Sequence, residues 1–312
     1  MPCRFLIILV ALAWIVGAPL TAQKSRPLTP DGRPDLQGFW ENDTVTPLER
    51  PAAFADRAFF SEQEAAEFQS EEQYNERYRR TRGNDELATS GELNGQWNTH
   101  GRIGRDRRTS LIVDPPDGRL PRRTPDAQAR FDARQRWLKA HGADGPEDLP
   151  LSERCLLWGA GPPLIPVAYN NNLQIVQTRD AVMILHEMIH DARIVPLDGR
   201  PHLPPSVQQW TGDSRGHWDG DTLVVDTTNF TDKTAFQGSG TGLHVVERFT
   251  RTDPQTLRYE FTVDDSTSFA RPWSGGLWMT KTDDRIYEYA CHEANYSMMG
   301  ILRGARAEEK DR

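Results

Sequence analysis

The sequence has few cysteines and, beyond its first residues, no long apolar run. Only three of the 312 residues are cysteine, and Cys3 lies near the N-terminus. Residues 5–16, FLIILVALAWIV, form the one extended apolar run, and no later stretch is long enough to cross a bilayer as a helix. An extended basic stripe is also missing and the net charge is −8, so nothing favours nucleic acid as a partner.

The apolar run has the flanks of an export signal. Arg4 precedes it as the positive residue, and small residues lead to Ala22, just before Gln23. We therefore expect residues 1–22 to be a signal peptide, with a short N-terminal anchor as the alternative. After cleavage the protein would be periplasmic or secreted, without stable membrane insertion.

Two cysteines remain once the signal is removed, Cys155 and Cys291. In an oxidising compartment an isolated pair most simply forms one disulfide. The alternative is a thiol nucleophile, because Cys291, His292 and Glu293 place three reactive groups in a row. Neighbouring residues on a strand point to opposite faces, so Cys291 and His292 would not pair, and the sequence favours the disulfide.

The first half of the mature chain predicts an extended leader and two helices. Residues 23–34 are rich in proline and glycine and form the leader. Residues 61–82 are rich in helix formers and begin with a capping box. Residues 126–141 carry apolar residues at helical spacing and are followed by Gly142, a typical C-terminal cap. A short strand is predicted over residues 110–113.

From Leu173 onward the sequence alternates apolar and polar residues between turn signals. It predicts a strand over residues 173–178 and a long strand, or a bent pair, over residues 181–197. Three hairpins follow, over residues 216–230, 243–265 and 275–293, with turns at residues 219–221, 252–255 and 283–284. Three successive hairpins predict an antiparallel meander that closes into a barrel or a curled sheet.

Gly38, Phe39 and Trp40 agree with a barrel. Many lipocalin-type barrels begin their first strand with Gly-x-Trp, in which the tryptophan closes the bottom of the barrel and the glycine permits a tight bend. The chain resembles those barrels at these positions. We therefore predict a mainly β fold with peripheral helices, in which residues 35–312 form one lipocalin-like barrel domain.

Residues 186–190, HEMIH, match the H-E-x-x-H motif of zinc metalloproteases. That motif requires a helix, which brings both imidazoles to one metal and lets the glutamate activate the bound water. The flanks are rich in β-branched residues and Pro196 follows soon after, so the sequence favours a strand. On a strand, His186 and His190 would lie ~13 Å apart, too far to share a metal ion.

The strand interpretation places Glu187, Asp191 and Arg193 on one face and His190 on the other. The face with the three charged residues could be an exposed ladder of salt bridges. Alternatively, it points into the barrel and forms a site, because charged residues inside a barrel are unfavourable unless they serve a ligand.

Several long motifs of the chain resemble those of a known family. They are EMIHDARIVPLDGRPH, GDSRGHWDGDTLVVDTTNF and YEYACHE, together with TPDGRPDLQGFW and RTSLIVDPPDGRLP. With these motifs the chain resembles a large family of exported proteins from soil and marine Gram-negative bacteria, and the resemblance implies export without implying an activity. In that family His186 precedes the motif and is not part of it, which directs attention to the residues of EMIHDAR.

The polar residues in and near this motif suggest an enzyme that transforms a small molecule without a cofactor. We predict that Glu187, His190, Asp191 and Arg193 are catalytic. The arginine would anchor a substrate carboxylate, and a glutamate or histidine would move a proton. The predicted substrate-binding residues are Tyr169, Asn171, His202, His217 and His292. The set suits a lyase such as a decarboxylase of an aromatic or phenolic acid, by analogy with the small cofactor-free barrels that decarboxylate phenolic acids.

Two other functions agree with the same residues. In a metal-dependent hydrolase, His190, His202 or His292 and nearby carboxylates would bind a divalent ion across strands, although no spacing requires it. In a non-catalytic binding protein, the barrel would capture an apolar or aromatic ligand. The sequence favours the enzyme without metal or cofactor.

Overall fold

A computed structural model describes residues 27–310, except for residues 71–100, 142, 160, 168, 235 and 294. Four predictions fall wholly or partly outside these residues. They concern the signal peptide over residues 1–22, the start of the leader over residues 23–34, the later part of the helix predicted over residues 61–82, and Gly142 as a helix cap.

The described residues form a mainly antiparallel β structure with three α-helices. The ten strands, β1 to β10 in chain order, are Gly38–Glu41, Ile112–Asp114, Asn172–Gln177, Ala181–His186, Ala192–Pro196, Asp213–Asp219, Thr222–Thr228, His244–Asp253, Thr256–Asp264 and Trp273–Thr282. They belong to one sheet in the order β5-β4-β3-β1-β10-β9-β8-β7-β6, with β2 paired to β10.

The sheet is strongly curled but not closed. Arg193 on β5 bonds directly to Glu247 on β8, although five strands lie between them in the sheet order. The terminal strands β5 and β6 also approach each other, since a Cβ atom on Gly216 of β6 would lie 2.8 Å from Val195 Cγ1 on β5. The hydrogen-bonded order nevertheless begins at β5 and ends at β6, so closure into a lipocalin-like barrel is not confirmed.

Two of the three predicted hairpins are confirmed and the third is wrong. Strands β6 and β7 pair around the turn at Gly220, and β8 pairs with β9. The chain after β10 does not return as a strand, and residues 283–290 have no regular secondary structure. The reason is that β10 already pairs with β9 on one edge and with β1 and β2 on the other, so no free edge remains.

The period-two alternation of β8 shows how the core forms. Val245 and Phe249 are fully buried on the inner face, as the alternation requires. Two charged residues of the same face, Glu247 and Arg251, are buried as completely. The inner face is therefore apolar except at a few polar positions, which need partners inside the fold.

Trp40 and Arg251 fill one end of the curled sheet. Trp40 is fully buried, and its indole N–H donates to the Leu36 carbonyl over 2.9 Å. The Arg251 guanidinium lies 5.2 Å from the Trp40 ring centroid and donates to the carbonyls of Asp35 and Pro254. The polar head of Arg251 is thus satisfied by backbone groups at this end.

The three α-helices lie outside the sheet. They are α1, Glu62–Phe68; α2, Pro125–His141; and α3, Tyr296–Lys310. The predicted capping box of α1 is confirmed, because Ser61 accepts from the Glu64 N–H and Glu64 accepts from the Ser61 N–H. Helix α2 confirms the prediction over residues 126–141, whereas α3 was not predicted. None of the helices within the described ranges is long and apolar enough to cross a membrane.

Candidate active site

The HEMIH segment is the end of a strand followed by a turn. Strand β4 ends at His186, a short 3-10 turn occupies Met188–His190, and β5 begins at Ala192. The strand prediction is confirmed up to His186, and the segment is the bent pair rather than one long strand. The predicted division of side chains between two faces is wrong, because the chain reverses between His186 and Ala192.

The turn has a strained backbone. Ile189 and His190 have φ values of +64° and +46°, in the left-handed region that a β-branched residue such as isoleucine rarely adopts. Such residues cost on the order of 1–3 kcal/mol each and cluster at functional sites. The surrounding fold holds the strain, because Met188 is fully buried and the N–H groups of Glu187 and Met188 donate to backbone carbonyls in the segment before β3 and at its start.

His190 is exposed and has a fixed tautomer. Its Nδ1 lies 2.9 Å from the Tyr289 carbonyl oxygen. A carbonyl can only accept, so Nδ1 carries the hydrogen and Nε2 of the neutral ring is the basic atom. This arrangement orients the imidazole for proton transfer.

Asp191 lies next to His190 and is half-buried. Burial raises the pKa of the Asp191 carboxyl, while Arg193, the Ala192 N–H and His190 oppose that shift. A carboxyl group with a raised pKa beside an oriented histidine is a typical acid–base pair. The pair is therefore the strongest chemical feature of the turn.

Glu187 holds the chain that follows β10. It is almost completely buried, and its Oε1 accepts from the Tyr287 N–H over 3.2 Å. This contact places residues 285–293 against the turn, which brings the Tyr289 carbonyl to His190. Glu187 therefore positions this segment, and the catalytic role predicted for it stays a prediction.

Arg193 is part of a buried network on the inner face. Both terminal nitrogens donate to the Glu247 carboxylate, one of them over 3.0 Å. The Tyr259 hydroxyl donates to Glu247 over 2.8 Å and accepts from the Leu164 N–H over 2.8 Å. Burial, with the Glu247 charge, raises the pKa of Tyr259 well above its usual value. Because Glu247 occupies the guanidinium fork, Arg193 does not present it to a ligand.

Glu247 and Tyr259 were not among the predicted site residues. A signal was present in the sequence, since Glu247 interrupts the alternation of apolar residues between Val245 and Phe249. A charged residue at an inward position of an amphipathic strand indicates a buried partner. The identity of that partner depends on the curl of the sheet, which the sequence does not encode locally.

His186 is buried next to this network. Its Nδ1 accepts from the Met188 N–H over 3.1 Å, and its Nε2 has no partner among the described residues. Burial lowers the pKa of His186 to about 4, so the ring is neutral at pH 7. Of the two histidines, the exposed His190 is therefore the better candidate for exchanging a proton with a ligand.

Aromatic residues flank the turn. The Tyr169 ring lies 5.4 Å from the Trp158 ring and 6.3 Å from the Tyr289 ring, centroid to centroid. The buried Asn171 side chain bonds both backbone groups of Val167. These contacts hold the loop that precedes β3 beside the His190–Asp191 pair.

The Cys155–Cys291 disulfide is confirmed. It joins the loop before β3 to the segment after β10, and it rules out Cys291 as a free thiol nucleophile. A disulfide is typical of an oxidising compartment. The covalent link fixes the same two segments that carry Tyr169 and Tyr289.

The three other predicted binding histidines have different surroundings. His202 bonds Asp213 and Asp226 over 2.9 Å and 3.0 Å. His217 is exposed on β6, and His292 is exposed next to the disulfide. The structure thus brings Tyr169, Asn171, Glu187, His190 and Asp191 into one loop cluster, and His202 and His217 do not belong to it.

The part of the chain that the structure describes contains no group of three or more His, Cys, Asp or Glu side chains arranged to hold a metal ion. The resemblance of the EMIHDAR and neighbouring motifs to an exported family stays a prediction. The chain matches no family model, no curated protein and no solved structure, so its function is argued from the geometry of this site.

Proposed function

We propose that the protein is an exported, cofactor-independent lyase that decarboxylates a small aromatic or phenolic acid at the turn between β4 and β5. One observation carries the proposal. His190, whose tautomer is set by the Tyr289 carbonyl, stands beside Asp191, whose pKa is raised by burial, on a backbone held in a strained conformation.

The aromatic residues beside the turn support an aromatic substrate. Trp158, Tyr169 and Tyr289 offer ring faces and edges within one contact network, and aromatic pairs of this kind contribute about 0.5–1.5 kcal/mol beyond burial. We take the curled sheet as a lipocalin-like barrel whose mouth lies at this turn. Export is supported by the predicted signal peptide and by the disulfide.

The proposed reaction uses one base and one acid. For a hydroxyaryl acid with a conjugated side chain, His190 Nε2 accepts the phenolic proton, and protonated Asp191 donates a proton to the carbon next to the carboxylate. The bond to the carboxylate then breaks, CO₂ leaves, and its electron pair restores the double bond and the phenolate. His190 returns the phenolic proton, and water reprotonates Asp191, so the net reaction consumes one proton and releases CO₂.

A turnover assay tests the proposal. Purified mature protein is incubated with a panel of 4-hydroxyaryl carboxylic acids, and CO₂ release and loss of the conjugated-acid absorbance are measured. We expect turnover by the wild type and a loss of about 10²–10⁴-fold in kcat for His190→Gln and for Asp191→Asn. Asp180→Asn, exposed in the turn between β3 and β4 at the other end of β4, is the matched control and should keep full activity.

The outcomes separate the competing functions. Wild-type protein that binds the acids without turnover would support a non-catalytic binding protein. Full activity in His190→Gln and Asp191→Asn would move the chemistry away from the turn. Activity that depends on an added divalent ion and is lost to chelator would support the hydrolase, for which the described residues offer no ligand set.

A further inference from the structure

One cleft of the structure has a volume of about 490 Å³. It shares no lining residue with the candidate active site. The lining residues are Glu49, Leu120, Pro121, Arg122, Arg123, Gln128, Gln237 and Phe269. The set combines two adjacent arginines with an apolar surface, which is the composition of a small-molecule site with charged specificity groups.

Arg123 is held in a fixed position. Its guanidinium carbon lies 4.2 Å from the Phe131 ring centroid on α2. Gly238 packs against it so closely that a Cβ atom there would lie 3.2 Å from Arg123 Nε. The Nε atom is buried and has no hydrogen-bond partner among the described residues. Packing against Phe131 and Gly238 therefore fixes the Arg123 side chain at the wall of the cleft.

Arg122 also lacks a counter-ion among the described residues. Its backbone carbonyl accepts from the Ala270 N–H, which fixes the main chain, while the side chain is exposed. The one acidic lining residue, Glu49, uses its Oε1 to accept from the Leu120 N–H. Two arginines that line one cleft and have no ion pair among the described residues favour a carboxylate, whose two oxygens match the planar fork of arginine.

The remaining lining gives the cleft an apolar wall and a strained rim. Phe269 is 3% exposed and packs edge-on against Trp273, with ring centroids 6.2 Å apart. Leu120 packs against the same core cluster. Gln237 has a φ of +53°, which is unfavourable for a non-glycine residue and is found preferentially at binding sites.

From these contacts we propose that the cleft binds a small monocarboxylate. Arg122 and Arg123 hold the carboxylate, and the apolar part of the ligand lies on Leu120 and Phe269. The proposal is independent of the reaction at the turn, because it depends on different residues. It predicts a site that recognises charge and an apolar group together.

Calorimetric titration of the mature protein with sodium benzoate tests the site. The signals of arginine Nε–H groups in NMR spectra locate the binding, since Arg123 contributes one of them. We expect the Arg122→Gln/Arg123→Gln variant to bind benzoate at least tenfold more weakly. His190→Gln, which alters the turn alone, and Arg119→Gln, which removes an exposed arginine outside the lining, should leave the Arg123 signal shift unchanged.

A single variant serves if the double variant fails to fold. Arg122→Gln alone changes an exposed side chain and should weaken binding several-fold. Benzamide tests the need for charge, and inorganic phosphate tests the need for an apolar group. Absence of benzoate binding to the wild type, equal binding in the arginine variants, or equal affinity for benzamide or phosphate would each overturn the proposal.

Discussion

Two polar clusters on opposite faces of the same sheet differ in their access to water. The inner cluster consists of Arg193, Glu247, Tyr259 and His186. The outer cluster consists of His202, Asp213, Asp226 and His244. Glu247 is completely buried, whereas the Asp226 side chain is 37% exposed. The hydrogen bonds of Glu247 and Asp226 therefore have different consequences, because water can replace a lost partner at Asp226 but not at Glu247.

The two clusters also contribute differently to the stability of the fold. A buried ion pair gains little net stability over an apolar core, but breaking it leaves a charge that nothing solvates. Arg193 and Glu247 thus act chiefly as a constraint, which fixes β5 against β8 across the interior. His202 bonds Asp213 on β6 and Asp226 on β7, and so attaches the chain after β5 to the outer face at modest energy.

Glu247→Gln should have the largest effect. The substitution keeps the shape of the side chain but leaves the buried Arg193 charge uncompensated, so we expect the free energy of unfolding to fall by about 3–5 kcal/mol. Urea unfolding at pH 7 measures the change. The Arg193→Met/Glu247→Leu double variant removes both charges and should recover most of the loss. A double variant as unstable as the single one would show that shape, not charge, holds this region together.

His186→Asn should change the response to acid. The pKa of His186 is lowered to about 4 by burial, so between pH 6.5 and pH 4 the unfolded chain binds a proton that the folded chain does not. Wild-type stability therefore falls in this window, by on the order of 3 kcal/mol from this group. Asparagine can still accept from the Met188 N–H but does not titrate.

Urea unfolding of both proteins at pH 7 and at pH 4 isolates this contribution. The variant should lose less stability than the wild type on acidification. Equal losses in the two proteins would mean that His186 is protonated in the folded state, which would contradict its placement in an apolar interior.

Tyr259→Phe should change stability less than Glu247→Gln or His186→Asn. The hydroxyl donates to Glu247 and accepts from the Leu164 N–H, and its removal leaves both partners short of one bond. We expect a loss of about 1–3 kcal/mol in the free energy of unfolding. Hydrogen exchange should report faster opening at the Leu164 amide in particular. An unchanged Leu164 exchange rate would argue that this loop is held by other contacts.

The local features of the fold were predictable from the sequence. Alternation and turn residues predicted β6–β7 and β8–β9, and the capping box predicted the start of α1. The third hairpin failed for a non-local reason. Residues 283–290 have strand-like and turn-like residues, but the edge they would need is taken by β1, which lies more than 200 residues earlier in the chain.

The role of the EMIHDAR residues stays a prediction, but their arrangement can be compared with the structure. The predicted distribution of their side chains between two strand faces was wrong because Ile189 and His190 adopt a left-handed backbone. The residue types do not predict this turn, because isoleucine disfavours the left-handed backbone conformation. Tertiary contacts hold the strain, and these involve Tyr287 and Tyr289, which lie about a hundred residues away.

His244→Gln should have the smallest effect and the opposite dependence on pH from His186. The hydrogen bond to Asp226 raises the pKa of His244, with Asp264 adding to the shift, and lowers the pKa of Asp226, which His202 also faces. The ion pair therefore stabilises the fold below the ordinary histidine pKa of 6.5 and above the ordinary aspartate pKa of 3.8, and it is lost as the pH rises through the folded value of His244.

The side chains of both His244 and Asp226 are more than one-third exposed, so the contribution should stay below about 1 kcal/mol and weaken in salt. Unfolding at pH 5.5 and pH 8.5 should show a deficit in His244→Gln at the lower pH that nearly vanishes at the higher one. A deficit of 3 kcal/mol or more at either pH would mean that the outer face excludes water as the inner face does. The contrast between the two clusters would then lie in their geometry rather than in their solvation.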